Sequence, residues 1–128
     1  MEKTISLQQA YEKIRAHLIA QGRPASEKTP VSVDSACFYR HLEGGVVLKC
    51  AVGCLIDDDV YDTGLEDNSV EADNVIEALK QSGLNLTDRG IAFLSDAQMA
   101  HDRWDQNDLT WVLKKLDEAA DHYGLVSA

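Results

Sequence analysis

The sequence predicts an α+β fold, mainly α: a single compact domain of about five helices with one small β-hairpin. Three observations predict it. Apolar residues recur at helical spacing in separate stretches, those stretches are bounded by residues that cap or stop helices, and two short runs rich in β-branched and aromatic residues, "ACFYR" and "GVVLKC", are joined through "HLEGG". At 128 residues the chain suits one hydrophobic core, so 1–128 is read as one domain.

The elements follow in order. Ser6 with Gln9 three residues later forms a capping-box pattern, and Leu7, Tyr11, Ile14 and Leu18 then keep helical spacing until Gly22 offers a stop. Residues 22–35 hold both prolines among small polar residues and read as an extended connection. Residues 36–50 read as the hairpin. With its turn centred between Glu43 and Gly44, Cys37 falls opposite Cys50, where facing Cβ atoms lie roughly 5 Å apart.

Ala51–Ile56 is dense in apolar residues and reads as a short buried helix, ended by the turn-favouring run Asp57, Asp58, Asp59. Asn68 with Glu71 can start a third helix carrying Val70, Val75, Ala78 and Leu79, closed by Gly83. Thr87 can cap a fourth, with Ile91, Leu94, Gln98 and His101 on one stripe and Phe93, Ala97, Ala100 and Trp104 on the next. Asn107 can cap the last, where Leu109, Val112, Leu113, Leu116, Ala120 and Tyr123 precede Gly124.

The net charge of −10 argues against direct nucleic-acid binding, because a phosphate backbone is held by clustered Lys and Arg, and the 12 basic residues here are scattered. Such a charge serves solubility first, and can also meet a basic patch on a partner or imitate the charge of DNA. No apolar run approaches the roughly 20 residues that span a bilayer, and the N-terminal stretch lacks a signal-type apolar segment, so a cytoplasmic location is expected. Three cysteines cannot all pair within one chain, which suits a reducing compartment.

Two chemical readings attach to "KCAVGCLIDDD". A zinc site would use Cys50 and Cys54, one helical turn apart, Cys37 across the hairpin, and His101. The spacing lacks a C-x-x-C pair, and no other cofactor motif is present. A cysteine hydrolase or transferase would use Cys50 at a helix start as nucleophile and His101 as base. Asp102, adjacent to His101 on a helix, is expected to point about 100° away from it. The favoured reading is packing: Gly53 costs about 1 kcal/mol relative to alanine in a helix, so its presence implies close approach of another backbone, with the cysteines as small apolar neighbours. The aspartate run reads as a solvated turn, and His17, His41 and His122 as surface residues.

"CFYR", "LKCAVGCLIDDDVYD" followed by "LE", and "FLSDAQMAHD" together resemble a group of small uncharacterised proteins of bacteriophage and prophage genomes. The group's pattern runs C-x-Y-R, K-C-A-[VI]-G-C-L-I-P-D-x-x-Y, then L-x-x-L-Q-x-x-H-D. The likeness spans about Cys37 to Asp102, with Asp57 in place of the proline and Ala97 in place of the second leucine. It implies a phage or prophage origin, hence a bacterial host cytoplasm, and carries no reaction. It marks Cys37, Tyr39, Arg40, Cys50, Gly53, Cys54, Tyr61, His101 and Asp102 as signature positions, among which Arg40 and Asp102 are a plausible ion pair. The function expected is that of a small acidic accessory protein that binds another protein, such as a host factor. The alternatives are the cysteine enzyme and an acidic DNA mimic.

Overall fold

Among the described residues the chain forms four α-helices, and three of them start at a side chain that accepts from the first free N–H groups. A computed structural model describes residues 5–22, 26–27, 36–37, 39–43, 45–66, 70–104 and 108–126, with backbone alone at 26–27, 36–37 and 41–43. Helix α1 spans Leu7–Gln21, with Ser6 and Gln9 forming the reciprocal capping box and Gly22 closing it at φ +73°. Helix α2, Asp73–Gln81, has Asp73 in its first turn and Lys80 in its last, each at the end of the helix dipole that favours its charge. In α3, Asp88–Asp102, the Thr87 hydroxyl accepts from Gly90 N–H at 3.1 Å. In α4, Leu109–His122, the Asp108 carboxylate accepts from Trp111 N–H at 2.8 Å. The expected caps Asn68 and Asn107 lie outside the described residues, and α2 begins later than expected, after Ala72 in extended backbone.

The fifth expected helix is not one. Over Ala51–Ile56 the chain makes a 3-10 turn, Gly53–Leu55, because only Cys54 N–H reaches four residues back, to Cys50 O at 3.1 Å. Leu55 and Ile56 donate to Val52 and Gly53 carbonyls three residues back. Six residues are too few to offset helix nucleation, and the tighter turn suffices where tertiary packing supplies the stability.

The strands also depart from expectation. Strand β1 is Ser26–Glu27, β2 Ala36–Cys37, β3 Arg40–Glu43 and β4 Val46–Lys49. β3 and β4 pair antiparallel with Arg40 opposite Lys49 and Glu43 opposite Val46. Cys37 belongs to a separate pair with β1, opposite Ser26, and Cys50 N–H instead donates to Tyr39 O at 3.3 Å. The register is set at the turn: Gly45 takes φ +81° and Glu43 pairs with Val46, one residue later than expected, which moves Cys50 to face Tyr39. β1 also falls inside the 22–35 stretch expected to be a plain connection.

Helices α3 and α4 pack on each other, and α1 packs on α4 and on the Gly53–Leu55 turn. Tyr11 of α1 and Tyr123 after α4 both meet the Phe93 ring of α3 edge to face, at centroid distances of 6.1 and 6.2 Å. The Tyr11 hydroxyl donates to Asp117 at 2.6 Å, so the ring is buried while its polar end finds a partner. Ile5 N–H donates to Gly83 O, tying the N-terminal end to the link between α2 and α3. The remainder of the core comes from the stripes expected of the helices, with Ile14, Leu79, Leu94, Val112 and Leu116 fully buried. No helix among the described residues is long and apolar enough to cross a membrane.

Candidate functional site

The described signature residues converge on the segment from Cys50 to Glu66, and they divide into a buried half and a solvent-touching half. In the buried half, Cys50 and His101 are both 0% exposed. Cys50 Sγ accepts from Gly53 N–H at 3.2 Å, and the Cys54 thiol donates to Ala51 O at 3.1 Å. Burial pushes the Cys50 thiol well above its ordinary pKa, helped by the negative charge of Asp102 and opposed by the Gly53 bond. Burial likewise pushes Cys54 up to about 12. The geometry therefore gives neither sulfur the exposure or the lowered pKa on which a nucleophilic cysteine depends.

Gly53 shows why the turn holds its shape. A Cβ there would lie 2.1 Å from Tyr39 O, an impossible approach, so the close backbone contact expected from this glycine is present and its partner is the residue before β3. Its φ is not in the left-handed region, so the requirement is space alone.

Gln98 joins this turn to α3. Its Oε1 accepts from Val52 N–H at 3.1 Å and its Nε2 donates to Asp102 Oδ1 at 2.8 Å. Asp102 Oδ1 also lies 3.1 Å from His101 Nδ1. Because a carboxylate only accepts, that ring nitrogen carries the proton. The expectation that Asp102 points away from His101 is thus overturned: Gln98, one turn earlier, draws the carboxylate back over the 98–101 stripe. In the sequence Gln98 stands on that stripe without an assigned role, although it fills the Q of the L-x-x-L-Q-x-x-H-D pattern and is a glutamine among apolar positions.

The outer half is ionic. Glu66 accepts from Tyr39 N–H at 2.9 Å, Arg40 N–H at 3.1 Å and the Tyr61 hydroxyl at 2.5 Å. Burial first, and then this bond, raises Tyr61 to about 12. The Arg40 guanidinium lies over the Tyr61 ring, 4.4 Å from its centroid, and Nη2 donates to Ile56 O at 2.9 Å. The same Nη2 meets Asp58 Oδ1 at 2.8 Å, and Lys49 Nζ reaches that oxygen at 3.4 Å. The positive charges of Lys49 and then Arg40 hold the Asp58 carboxyl below its usual range. Arg40 therefore takes Asp58 as its ionic partner, not the Asp102 expected from sequence. Glu66 is not among the residues the sequence marks, although its "LE" accompanies the motif.

His17 is half-buried, not a surface residue, with Nε2 2.9 Å from Lys49 O. His122 is exposed beside Tyr123, and the side chain of His41 lies outside the described residues, as does that of Cys37. Among the described residues no group of three or more His, Cys, Asp or Glu side chains is placed to hold a metal ion. Asp57 N–H donates to Ser82 Oγ, and Asp62 caps a second 3-10 turn, Thr63–Leu65, by accepting from Gly64 N–H at 3.3 Å. These aspartates shape turns.

Fold and site together define a small, mainly helical domain with a buried, cysteine-containing turn and an ionic cluster on its outer side. Compared with protein-family models, with curated proteins and with solved structures, the chain gives no match.

Proposed function

We propose that this protein is a small acidic accessory module of phage or prophage type, located in the cytoplasm of a bacterial host, that acts by binding another protein. The observation that carries the reading is the division of the motif. Cys50 and His101, the side chains best suited to chemistry, are wholly buried, whereas Arg40, Lys49 and Asp58 meet solvent. Val46 and Val47, each about half exposed, stand on the same strand as Lys49. Apolar side chains beside organised charge are the ingredients of a protein-binding surface.

Affinity capture from bacterial lysate tests the proposal. Reproducible enrichment of one protein, lost when Val47 is replaced by Asp in a chain that still folds, is the expected result. Failure to enrich any protein over a charge-matched control overturns it.

A further inference from the structure

The cluster around Asp58 is asymmetric in a way that an ordinary surface ion pair is not. Its cations are built into the fold. The Arg40 side chain is only 14% exposed and is stacked on Tyr61 and bonded to Ile56 O, while its backbone N–H is held by Glu66. The Lys49 side chain is 28% exposed, and both its backbone groups are bonded to Gln21. Their shared counter-ion is not built in: the Asp58 side chain is 83% exposed. Arg40 Nε is moreover buried without a hydrogen-bond partner among the described residues, a donor that the resident carboxylate leaves unused.

In a chain of net charge −10, this pairing of Arg40 and Lys49 on one carboxylate oxygen runs against the overall charge. Attraction there is decided locally, because exposed charges beyond about 8 Å are largely screened at physiological ionic strength.

We propose that Arg40 and Lys49 form a carboxylate-binding site whose present occupant, Asp58, is an internal stand-in displaced by an acidic side chain of a partner protein. The chemistry of the ligand is read from the stand-in: a single carboxylate oxygen already bridges Arg40 Nη2 and Lys49 Nζ. A carboxylate supplied by a partner takes the same bridging position, held by charge-assisted hydrogen bonds from Arg40 Nη2 and Lys49 Nζ. Releasing Asp58 is inexpensive, because its side chain is 83% exposed and returns to water while the incoming carboxylate takes its place on the two cations. The inference rests on the protein-binding reading and names the partner chemistry of that site.

Fluorescence anisotropy with a fluorescein-labelled hexaglutamate peptide tests it, at fixed ionic strength, with circular dichroism showing each variant folded. Asp58→Asn removes the stand-in and is expected to tighten peptide binding about two- to fivefold, the range set by the strength of an exposed ion pair. Asp59→Asn changes the net charge equally next door and is expected to leave affinity nearly unchanged. Lys49→Gln in the Asp58→Asn background is expected to return it to the parent level or below. Equal gains from Asp58→Asn and Asp59→Asn, or no binding by any variant, would falsify the proposal. Lysate capture with Lys49→Gln separates the two readings: a partner still captured as well as by the parent leaves the protein-binding function standing and removes this site from it.

Discussion

The Gln21 carboxamide brackets the backbone of Lys49, accepting from its N–H at 2.8 Å and donating to its C=O at 2.9 Å. The pattern is that of a neighbouring strand. Cys50 N–H donates to Tyr39 O, so the hydrogen-bonded positions of the β3–β4 ladder alternate from that pair, and the N–H and C=O of Lys49 point out of the ladder. An open edge of this kind invites pairing with another chain, and the last side chain of α1 covers it at this residue. Each of the two bonds contributes about 0.5–1.5 kcal/mol. Gln21→Ala is therefore expected to lower stability by about 1–2 kcal/mol in urea unfolding, and Gln21→Glu by at least as much, since it sets a carboxylate oxygen against Lys49 O. An unchanged midpoint for Gln21→Ala would mean that water replaces both bonds without loss.

Gly53 gives a steric test with no conformational component. Alanine is compatible with its φ and would on that account be neutral or favourable. Its Cβ, however, would meet Tyr39 O at 2.1 Å and Tyr39 C at 2.8 Å, and these are backbone atoms that cannot rotate aside. Overpacking of this kind costs about 1–3 kcal/mol, and the rigidity of the obstacle places Gly53→Ala at the upper end. The rearrangement should be visible as shifted amide resonances at Tyr39 and Cys50. A variant as stable as the parent would show that the turn and β3 separate readily.

How far the sequence reaches can be judged from these residues. The close approach at Gly53 is legible because a glycine inside an apolar run gives up stability unless a neighbour needs the space its missing Cβ leaves. Helix α1 is legible because Ser6 and Gln9 are a local device. The partner of Cys50 is not. Register depends on where the turn is centred, and a shift of one residue, with Glu43 opposite Val46 and Gly45 at φ +81°, decides between Cys37 and Tyr39 as the facing residue. The short helix expected over Ala51–Ile56 fails for a related reason: composition marks a segment as buried but does not say whether its carbonyls are reached from three or four residues away. The ionic half of the site is invisible in the sequence because Glu66, Asp58 and Arg40 meet only through the folded loop.

The buried thiols supply a chemical clock. A Cys37→Ser variant leaves Cys50 and Cys54 as the only sulfhydryls. With Cys54 raised to about 12 and Cys50 well above its ordinary value, iodoacetamide at pH 8 should label the folded protein on the order of 10³-fold more slowly than free cysteine. The sign of the pH dependence follows. The folded state keeps these thiols protonated where the unfolded state would release the protons, so their contribution is complete below the ordinary thiol pKa and is lost as pH rises from about 9 toward 12. Urea midpoints should fall over that interval, by less in a Cys54→Ser variant. Rapid labelling of the folded protein would show that one thiol is exposed in solution.

Glu66 is the hinge of the outer cluster: its carboxylate takes three donors, the adjacent backbone N–H groups of Tyr39 and Arg40, 27 and 26 residues away along the chain, and the Tyr61 hydroxyl, five residues away. Bonds to a charged acceptor are the stronger kind. Glu66→Gln keeps the shape but replaces one acceptor oxygen by an NH₂ group, so one of the two backbone N–H groups loses its partner, and a loss of about 1–3 kcal/mol is expected. Tyr61→Phe should cost about 1–2 kcal/mol alone and clearly less in the Glu66→Gln background, where the Tyr61 hydroxyl meets a neutral amide and no longer a charged acceptor. A double-mutant cycle on urea-unfolding free energies reads that difference directly. Additive losses would mean that the hydroxyl and the carboxylate act separately, and that Tyr61 serves chiefly as the platform on which the Arg40 guanidinium rests.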